Sequence, residues 1–227
     1  MNSPTPSSPQ ELLLICGMHR SGTSLVTKCF ELFGYGLGET LMEPSEDNPK
    51  GFFEDLDVVY INDWLLRDNG SHWDAPVLLN QSALKWDEQH LSAAKEMMAA
   101  KLERSPRLAV KDPRVCLLLP FWREVAQSLG TKLKLCLVYR NPLDIAASLE
   151  RRNGLPQYEG MALIQGYWSR LLRDAGPDNF VISYDGFLDQ PQATLERISG
   201  WLELPPEANR SQHFLSLIHI SEPTRPY

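Results

Sequence analysis

A short apolar run that passes directly into a glycine-containing loop and then into a helix is the feature that most constrains this fold. The run occupies residues 11–17, and residues 24–33 place apolar side chains at helical spacing. A continuous apolar run of this length predicts a parallel strand buried on both faces. Residues 17–24 therefore form the loop of a strand–loop–helix unit, where backbone N–H groups and a helix N-terminus can surround a phosphate.

The loop departs in one informative way from the nucleotide-triphosphate P-loop, G-x-x-x-x-G-K-[ST]. Gly17, Gly22 and Ser24 match that pattern, but Thr23 stands where the lysine belongs, and the cation has moved to Arg20. An NTPase uses that lysine on the β and γ phosphates and a hydroxyl on magnesium. One guanidinium with several hydroxyls suits a donor that carries a 5′ phosphate and an attached sulfuryl group. The alternative is a simple strand-to-helix turn capped by Ser or Thr.

Strands and helices alternate along the rest of the chain. This alternation predicts an α/β fold, a three-layer α/β/α sandwich with a central parallel sheet, similar to P-loop NTPases. With 227 residues, of which 43% are hydrophobic, the chain is large enough for one domain over residues 11–214. Further strands are predicted over residues 107–111, 132–139 and 179–184, and helices over 53–67, 87–104, 115–129, 142–152, 160–173 and 192–202.

A second phosphate site is predicted where the strand over residues 132–139 ends. Arg140 follows that strand, and the carboxyl ends of parallel strands are where open α/β sheets bind ligands. Asn141 can cap the next helix and Pro142 suits its first turn. Ser148 then lies nearly two turns into the helix. The alternative role for Arg140 is a surface pair with Asp144, which is worth only ~0.3–0.5 kcal/mol.

Together the two segments resemble the PAPS-dependent sulfotransferase family. Residues 17–24 resemble its 5′-phosphosulfate loop, and residues 139–148 resemble its 3′-phosphate motif, R-[ND]-P-x-D-x-x-x-S. The resemblance spans about residues 11–204 and is to bacterial members of the family. It implies PAPS as donor and PAP as product, with no metal required. The donor ligands that it implies are Arg20, Ser21, Gly22, Thr23, Ser24, Arg140 and Ser148.

The reacting centre is predicted from two further motifs. Residues 111–114, K-D-P-R, resemble a segment of tyrosine and bacterial sulfotransferases in which Lys111 would neutralise the sulfuryl group. The alternative is a helix-start turn with Arg114 in solvent. Residues 48–54 resemble the N-P-x-G-[FWY]-x-E segment, which makes Glu54 the first candidate for the base that deprotonates the acceptor. Glu39 is the second candidate, with Asp55 and His19 behind it. The catalytic residues are therefore predicted to be Glu54, Lys111 and Arg20.

Composition excludes several other classes of protein. A formal charge of −7 argues against a nucleic-acid binder. The four cysteines show no metal-site or disulfide spacing, which favours buried free thiols, and no apolar run reaches the ~20 residues of a membrane span. Residues 1–10 are predicted to be a disordered tail without a signal peptide, so we expect a cytoplasmic protein. Its acceptor is expected to be a small molecule, glycan or lipid; the sequence leaves the oligomeric state open.

The last thirteen residues are unusual. Residues 215–225, L-S-L-I-H-I-S-E-P-T-R, resemble a direct translation of a transposase sequencing adapter. We therefore expect residues 215–227 to be a non-native tail and the natural C-terminus to be missing; an ordinary terminal strand is the alternative. Two other functions remain open at this point: a P-loop nucleotide or small-molecule kinase, and a non-catalytic binding module.

Overall fold

The computed structural model of the protein describes residues 10–45, 48, 51–75, 84–205 and 214. Four strands form one parallel sheet: β1 (Glu11–Cys16), β2 (Arg107–Lys111), β3 (Lys132–Tyr139) and β4 (Phe180–Ser183). Their order across the sheet is β2-β1-β3-β4, and every neighbouring pair is parallel. The predicted α/β fold with a central parallel sheet is confirmed.

Helices cover both faces of the sheet. The helices of the described residues are α1 (Thr23–Cys29), α2 (Leu56–Asp68), α3 (Glu88–Arg104), α4 (Val115–Ser128), α5 (Pro142–Asn153), α6 (Gln157–Ala175), α7 (Tyr184–Asp189) and α8 (Pro191–Leu202). One apolar core joins the sheet to α4 and α6, and a second core, on the opposite face, joins it to α1 and α8. The strands read as near-continuous apolar runs because both faces are buried.

Several predicted boundaries shift for identifiable reasons. The helix predicted over residues 53–67 begins three residues later, because the Asp55 side chain accepts a hydrogen bond from the Asp57 backbone N–H and caps α2. The helix predicted over 24–33 changes to a 3₁₀ turn (Phe30–Phe33) after Cys29. The short helix α7 does not appear in the prediction, which extends a strand to residue 184 and gives no helix before residue 192. Its start is set by Ser183, whose Oγ accepts from the Gly186 N–H.

The chain ends are only partly described. Gln10, predicted to belong to the disordered tail, contributes its carbonyl to the fold, accepting a 3.0 Å hydrogen bond from the Lys132 N–H. The rest of that predicted tail, and the predicted non-native tail, lie outside the described residues. Among the described residues, every helix is too short or too polar to cross a bilayer. All four cysteines are buried and free, as the composition indicated.

Candidate functional site

Three strand ends meet at one edge of the sheet. β1 and β2 pair in register with Ile15 opposite Lys111, and β3 lies on the other side of β1, with Leu137 opposite Cys16. The loop over residues 17–22 follows β1, Lys111 ends β2, and Arg140 follows β3. The sheet order therefore brings the three predicted basic positions to the same edge, where ligands of parallel sheets bind.

The loop after β1 contains two residues with positive φ angles, and its conformation depends on which residues occupy those positions. Arg20 has a φ of 67° and Gly22 a φ of 85°, both in the left-handed region. A Cβ on Gly22 would lie 1.9 Å from a ring carbon of Tyr184, so this position excludes any side chain. The Ser21 hydroxyl donates a 2.6 Å hydrogen bond to the Met18 carbonyl and stabilises the turn from inside. A left-handed conformation at a non-glycine residue such as Arg20 costs free energy, and such residues cluster at active sites and ligand clamps.

The first cluster, the arginine–serine cluster, consists of Arg20, Arg140 and Ser148. Arg20 Nε donates a 2.9 Å hydrogen bond to Ser148 Oγ, and Arg140 Nη1 donates a 3.3 Å hydrogen bond to the Arg20 carbonyl. The guanidinium of Arg140 also lies 5.0 Å from the centre of the Tyr184 ring. Residues separated by 128 and 120 positions are thus in contact. The arginine–serine cluster therefore joins the loop after β1 to α5.

Arg140 has a buried donor with no hydrogen bond to any described residue. Its Nε is shielded from solvent, and the carboxylate of Asp144 lies 3.9 Å away, which is too long for a hydrogen bond. Asn141, the next residue, accepts from the Leu143 N–H through its side chain and caps α5. Buried N–H groups are nearly always paired in native proteins, so this donor fits a ligand oxygen.

The second cluster, the lysine–glutamate cluster, joins β2 to the segment before α2. Lys111 Nζ lies 2.5 Å from Glu54 Oε1, 3.0 Å from the Phe52 carbonyl and 3.5 Å from Ser24 Oγ. Lys111 is 4% exposed and Glu54 5% exposed, so this is a buried ion pair. Burial raises the pKa of Glu54 above its ordinary value, and the Lys111 ammonium opposes that rise. Ser24 also donates to the Phe52 carbonyl, which ties α1 to the same segment.

A buried polar network supports the lysine–glutamate cluster from behind. Asp112 accepts hydrogen bonds from the Arg114 backbone N–H and side chain, and from Asn62 Nδ2 at 2.9 Å. Arg114 Nε lies 2.7 Å from Asp63, and Asn62 accepts from Trp122. The alternative interpretation of K-D-P-R, with Arg114 in solvent, is wrong, because Arg114 is buried against two carboxylates. Nothing in the local pattern indicated that Asn62 would join this network.

The other predicted acids lie elsewhere. Glu39 is exposed and forms an ion pair with Arg104, away from Lys111. Asp55 caps α2 and pairs with the buried Lys101 at 2.8 Å. Both have structural partners, so only Glu54 among the three candidate acids contacts a predicted catalytic residue. Among the described residues there is no group of three or more side chains that could hold a metal ion.

Comparison with solved structures identifies the fold. The chain is similar to the sulfotransferase domain of the Synechococcus PCC 7002 olefin synthase, with a TM-score of 0.51 and 16% identity over 89% of this chain and 76% of that one. It is also similar to the sulfotransferase domain from the curacin biosynthetic pathway, with a TM-score of 0.54 and 15% identity over 89% and 77%.

The chain has a sulfotransferase fold. A third similar structure, sulfotransferase STF9 from Mycobacterium avium, matches with a TM-score of 0.52 and 14% identity over 96% of this chain and 70% of that one. No family model matches the sequence, and no curated protein matches it. At identities of 14–16% the likeness establishes the architecture alone.

Proposed function

We propose that this protein is a sulfotransferase that moves a sulfuryl group from PAPS to a hydroxyl or amine of an acceptor and releases PAP. The observation that carries the proposal is the arginine–serine cluster. Two cations from opposite ends of the predicted donor site, Arg20 and Arg140, lie in contact through the Arg20 carbonyl, and Ser148 lies beside Arg20. The sulfotransferase fold supports the same conclusion.

The donor would bind across the carboxyl ends of β1 and β3. The loop, with Arg20, Gly22 and the hydroxyls of Ser21, Thr23 and Ser24, would hold the 5′ side, with amide N–H groups at the start of α1 contributing. Arg140 and Ser148 would hold the 3′ phosphate. The buried Nε of Arg140 fits this role, because a dianionic phosphate offers oxygens to a planar guanidinium.

The lysine–glutamate cluster would form the reacting centre. Sulfuryl transfer builds negative charge on the sulfuryl oxygens and on the bridging oxygen that leaves with PAP. Arg20 and Lys111 are the proposed cations that stabilise this charge, and fixed charges in a shielded site do so without reorganising water. Glu54 is the proposed base that takes the acceptor's proton, and its contact with Lys111 holds the ammonium in place.

The bonds change in one displacement. The acceptor's oxygen or nitrogen gives its proton to the Glu54 carboxylate and forms a bond to sulfur, while the bond from sulfur to the bridging oxygen breaks and leaves its electron pair on PAP. The chain's contribution is alignment of acceptor and donor together with charge stabilisation. Glycans, lipids and small molecules are the proposed classes of acceptor.

A ligand comparison tests the proposal. The melting temperature of the full chain is measured with PAP, AMP and Mg-ATP, each with and without EDTA. We expect PAP to stabilise the protein most, because ligand binding to the native state raises the melting temperature, and EDTA to leave this shift unchanged. A larger shift with Mg-ATP that EDTA abolishes would support a kinase instead. A shift with PAP but no transfer of radioactive sulfate from PAPS to any acceptor or to water would support a binding module.

A further inference from the structure

An apolar groove lies between α6 and the strands β3 and β4. From α6 it is lined by Ile164, Trp168 and Leu172, which are spaced four residues apart and therefore share one face of the helix. From the sheet it is lined by Tyr139 of β3 and Val181 of β4. Its volume is about 430 Å³, within the range of ~300–1,000 Å³ that is typical of small-molecule sites. We call it the α6 groove.

The apolar side chains of the α6 groove are exposed because the sheet ends beside them. β4 is the last strand in the order β2-β1-β3-β4, so among the described residues no further strand covers its outer edge. Side chains alternate along a strand, and Ile182 is buried in the core on the α8 side. Val181 therefore points to the α6 side, where it is 42% exposed, and Leu172 of α6 is 63% exposed. Contiguous exposed apolar side chains of this kind mark a binding site.

One end of the α6 groove is cationic. Its lining extends from Asn179, just before β4, to Arg140, just after β3, and Arg140 is the charged member of the described residues that line it. The carboxylate of Asp144 lies 3.9 Å from Arg140 Nε, beyond hydrogen-bond distance, and this Nε makes no hydrogen bond to any described residue. A guanidinium at the end of an apolar groove favours a ligand with an anionic group at one end of an apolar body.

The edge of β4 is protected against pairing with another strand. β4 has only four residues, and the Val181 carbonyl accepts a 3.2 Å hydrogen bond from Arg197 Nη2 on α8. Short edge strands whose backbone groups are already occupied resist the addition of a further strand. Contacts with the apolar side chains of the groove, and not strand addition, are therefore expected to hold its ligand.

We propose that the α6 groove binds a fatty-acid-like molecule, with its alkyl chain against Trp168, Leu172 and Val181 and its carboxylate on Arg140. The alkyl chain removes exposed apolar side chains from water, which the hydrophobic effect favours. The carboxylate accepts a charge-assisted hydrogen bond from the guanidinium. Under the proposed function the same guanidinium holds the 3′ phosphate of the donor, so the fatty acid and the donor exclude each other. Only this last step rests on the proposed function.

Titration calorimetry of the full chain with decanoate and with decanol tests the inference, because the two probes share an alkyl chain and differ in the charge of the head group. Leu172→Glu places a charge in the groove at an exposed position. Met161→Glu is its control, because Met161 is an exposed apolar residue of the same helix and is not among the described residues that line the groove. Arg140→Ala removes the contact with the head group, and Arg151→Ala, at an exposed arginine of α5, is its control. Urea unfolding checks that each variant is folded.

We expect the wild type to bind decanoate about tenfold more tightly than decanol, because only decanoate offers a charge to Arg140. Leu172→Glu should weaken the binding of both probes by about tenfold or more, and Met161→Glu should weaken neither. Arg140→Ala should reduce the affinity for decanoate to that for decanol, whereas Arg151→Ala should preserve the difference. PAP should weaken the binding of decanoate to the wild type, and Leu172→Glu should leave the melting shift with PAP unchanged.

Several results would overturn the inference. The wild type could fail to bind decanoate, the Leu172→Glu and Met161→Glu variants could lose equal affinity, or Arg140→Ala could still prefer decanoate to decanol. A melting shift with PAP that Leu172→Glu abolishes would assign the groove to the adenine of the donor, and a wild-type dimer that Leu172→Glu converts to a monomer would assign it to a second copy of the chain.

The binding of PAP separates this inference from the proposed function. PAP that binds without weakening decanoate would show that the two ligands do not share Arg140. Failure of the proposed function itself looks different, because the wild type would then show no melting shift with PAP. The decanoate and decanol titrations would still decide whether the groove binds a fatty acid.

Discussion

The two clusters hold their cations in opposite ways. In the arginine–serine cluster, Arg140 donates to a carbonyl, faces an aromatic ring and keeps a buried Nε without a hydrogen bond among the described residues. In the lysine–glutamate cluster, Lys111 lies 2.5 Å from a buried carboxylate. In the first arrangement the carboxylate of Asp144 lies 3.9 Å from Arg140 Nε, beyond hydrogen-bond distance. The second is neutralised within the protein and is ordered before any ligand arrives.

This difference has a physical reason. A phosphate that must bind and leave needs a cation whose charge is not already used, since a tight internal carboxylate would compete with it. A cation that acts only when negative charge develops in the transition state works best from a fixed position. A buried carboxylate beside it holds it in that position. Under the proposed function, the arginine–serine cluster would supply affinity for the donor, and the lysine–glutamate cluster would supply a cation fixed in place beforehand.

The largest expected effect is on stability and concerns the internally paired cluster. Glu54→Ala leaves the Lys111 ammonium buried without its carboxylate, and we expect the free energy of unfolding to fall by about 3–5 kcal/mol. Urea unfolding measures it. The double variant Glu54→Leu with Lys111→Met should recover most of the loss, because it removes both charges. A loss below ~1 kcal/mol in the single variant would show that Lys111 does not depend on Glu54.

The next effect concerns the shape of the loop that carries Arg20. Gly22→Ala would place a methyl group within the Tyr184 ring and in a left-handed conformation, so we expect a loss of roughly 3 kcal/mol in the free energy of unfolding and a smaller PAP melting shift. Gly154→Ala is the control, since it shares a positive φ but a Cβ there meets open space. Equal losses in the two variants would mean that backbone conformation alone matters and that contact with Tyr184 does not.

Arg140→Ala tests the arginine–serine cluster. We expect PAP binding to weaken about a hundredfold, or ~2.8 kcal/mol, with little change in unfolding by urea, because Arg140 has few internal partners. Titration calorimetry with PAP measures the affinity. Arg151→Ala, an exposed arginine on the same helix, controls for the loss of one positive charge. Should both variants lose affinity equally, the cluster would act only through net charge.

The smallest effect is the pH dependence of stability that the buried His19 in the loop after β1 adds. Its pKa lies below 6.5 in the native state, so the unfolded chain takes up a proton that the folded chain does not, as the pH falls below 6.5. The contribution of neutral His19 to the free energy of unfolding is therefore fully present above pH 6.5 and is lost as the pH falls below it. Between pH 6.5 and 5, we expect the free energy of unfolding of His19→Asn to fall less steeply with decreasing pH than that of the wild type. The difference in slope corresponds to at most one proton bound on unfolding. Parallel slopes would contradict a neutral, buried His19.

Much of the fold was predictable because its signals are local. The bounds of β2 and β3 agree with the prediction, since both are apolar runs with polar residues on either side. The start of α5 also agrees, because Asn141 and Pro142 are strong helix-start residues. The short helix α7 could not be separated from β4, because six residues are too few to show a helical period, and its cap, Ser183, lies inside the predicted strand.

The site was predictable in its chemistry but not in its contacts. The basic positions Arg20, Lys111 and Arg140 could be found because each follows or ends a strand. The preference for Glu54 over Glu39 as a partner of Lys111 needed the structure, since both are acids in polar segments. The partnership of Asn62 with Asp112, 50 residues away, carried no sequence signal at all.

By itself, the sequence determined the alternation of strands and helices, the place of the loop and the types of side chain at each strand end. These depend on neighbours within a few residues, where apolar spacing, caps and turn residues act. Only the tertiary structure decided that Lys111 pairs closely with a buried carboxylate, whereas Arg140 has only the more distant Asp144. That outcome depends on distances between residues 57 to 128 positions apart, which the sheet order β2-β1-β3-β4 and the packing of α2 and α5 against its edge set together.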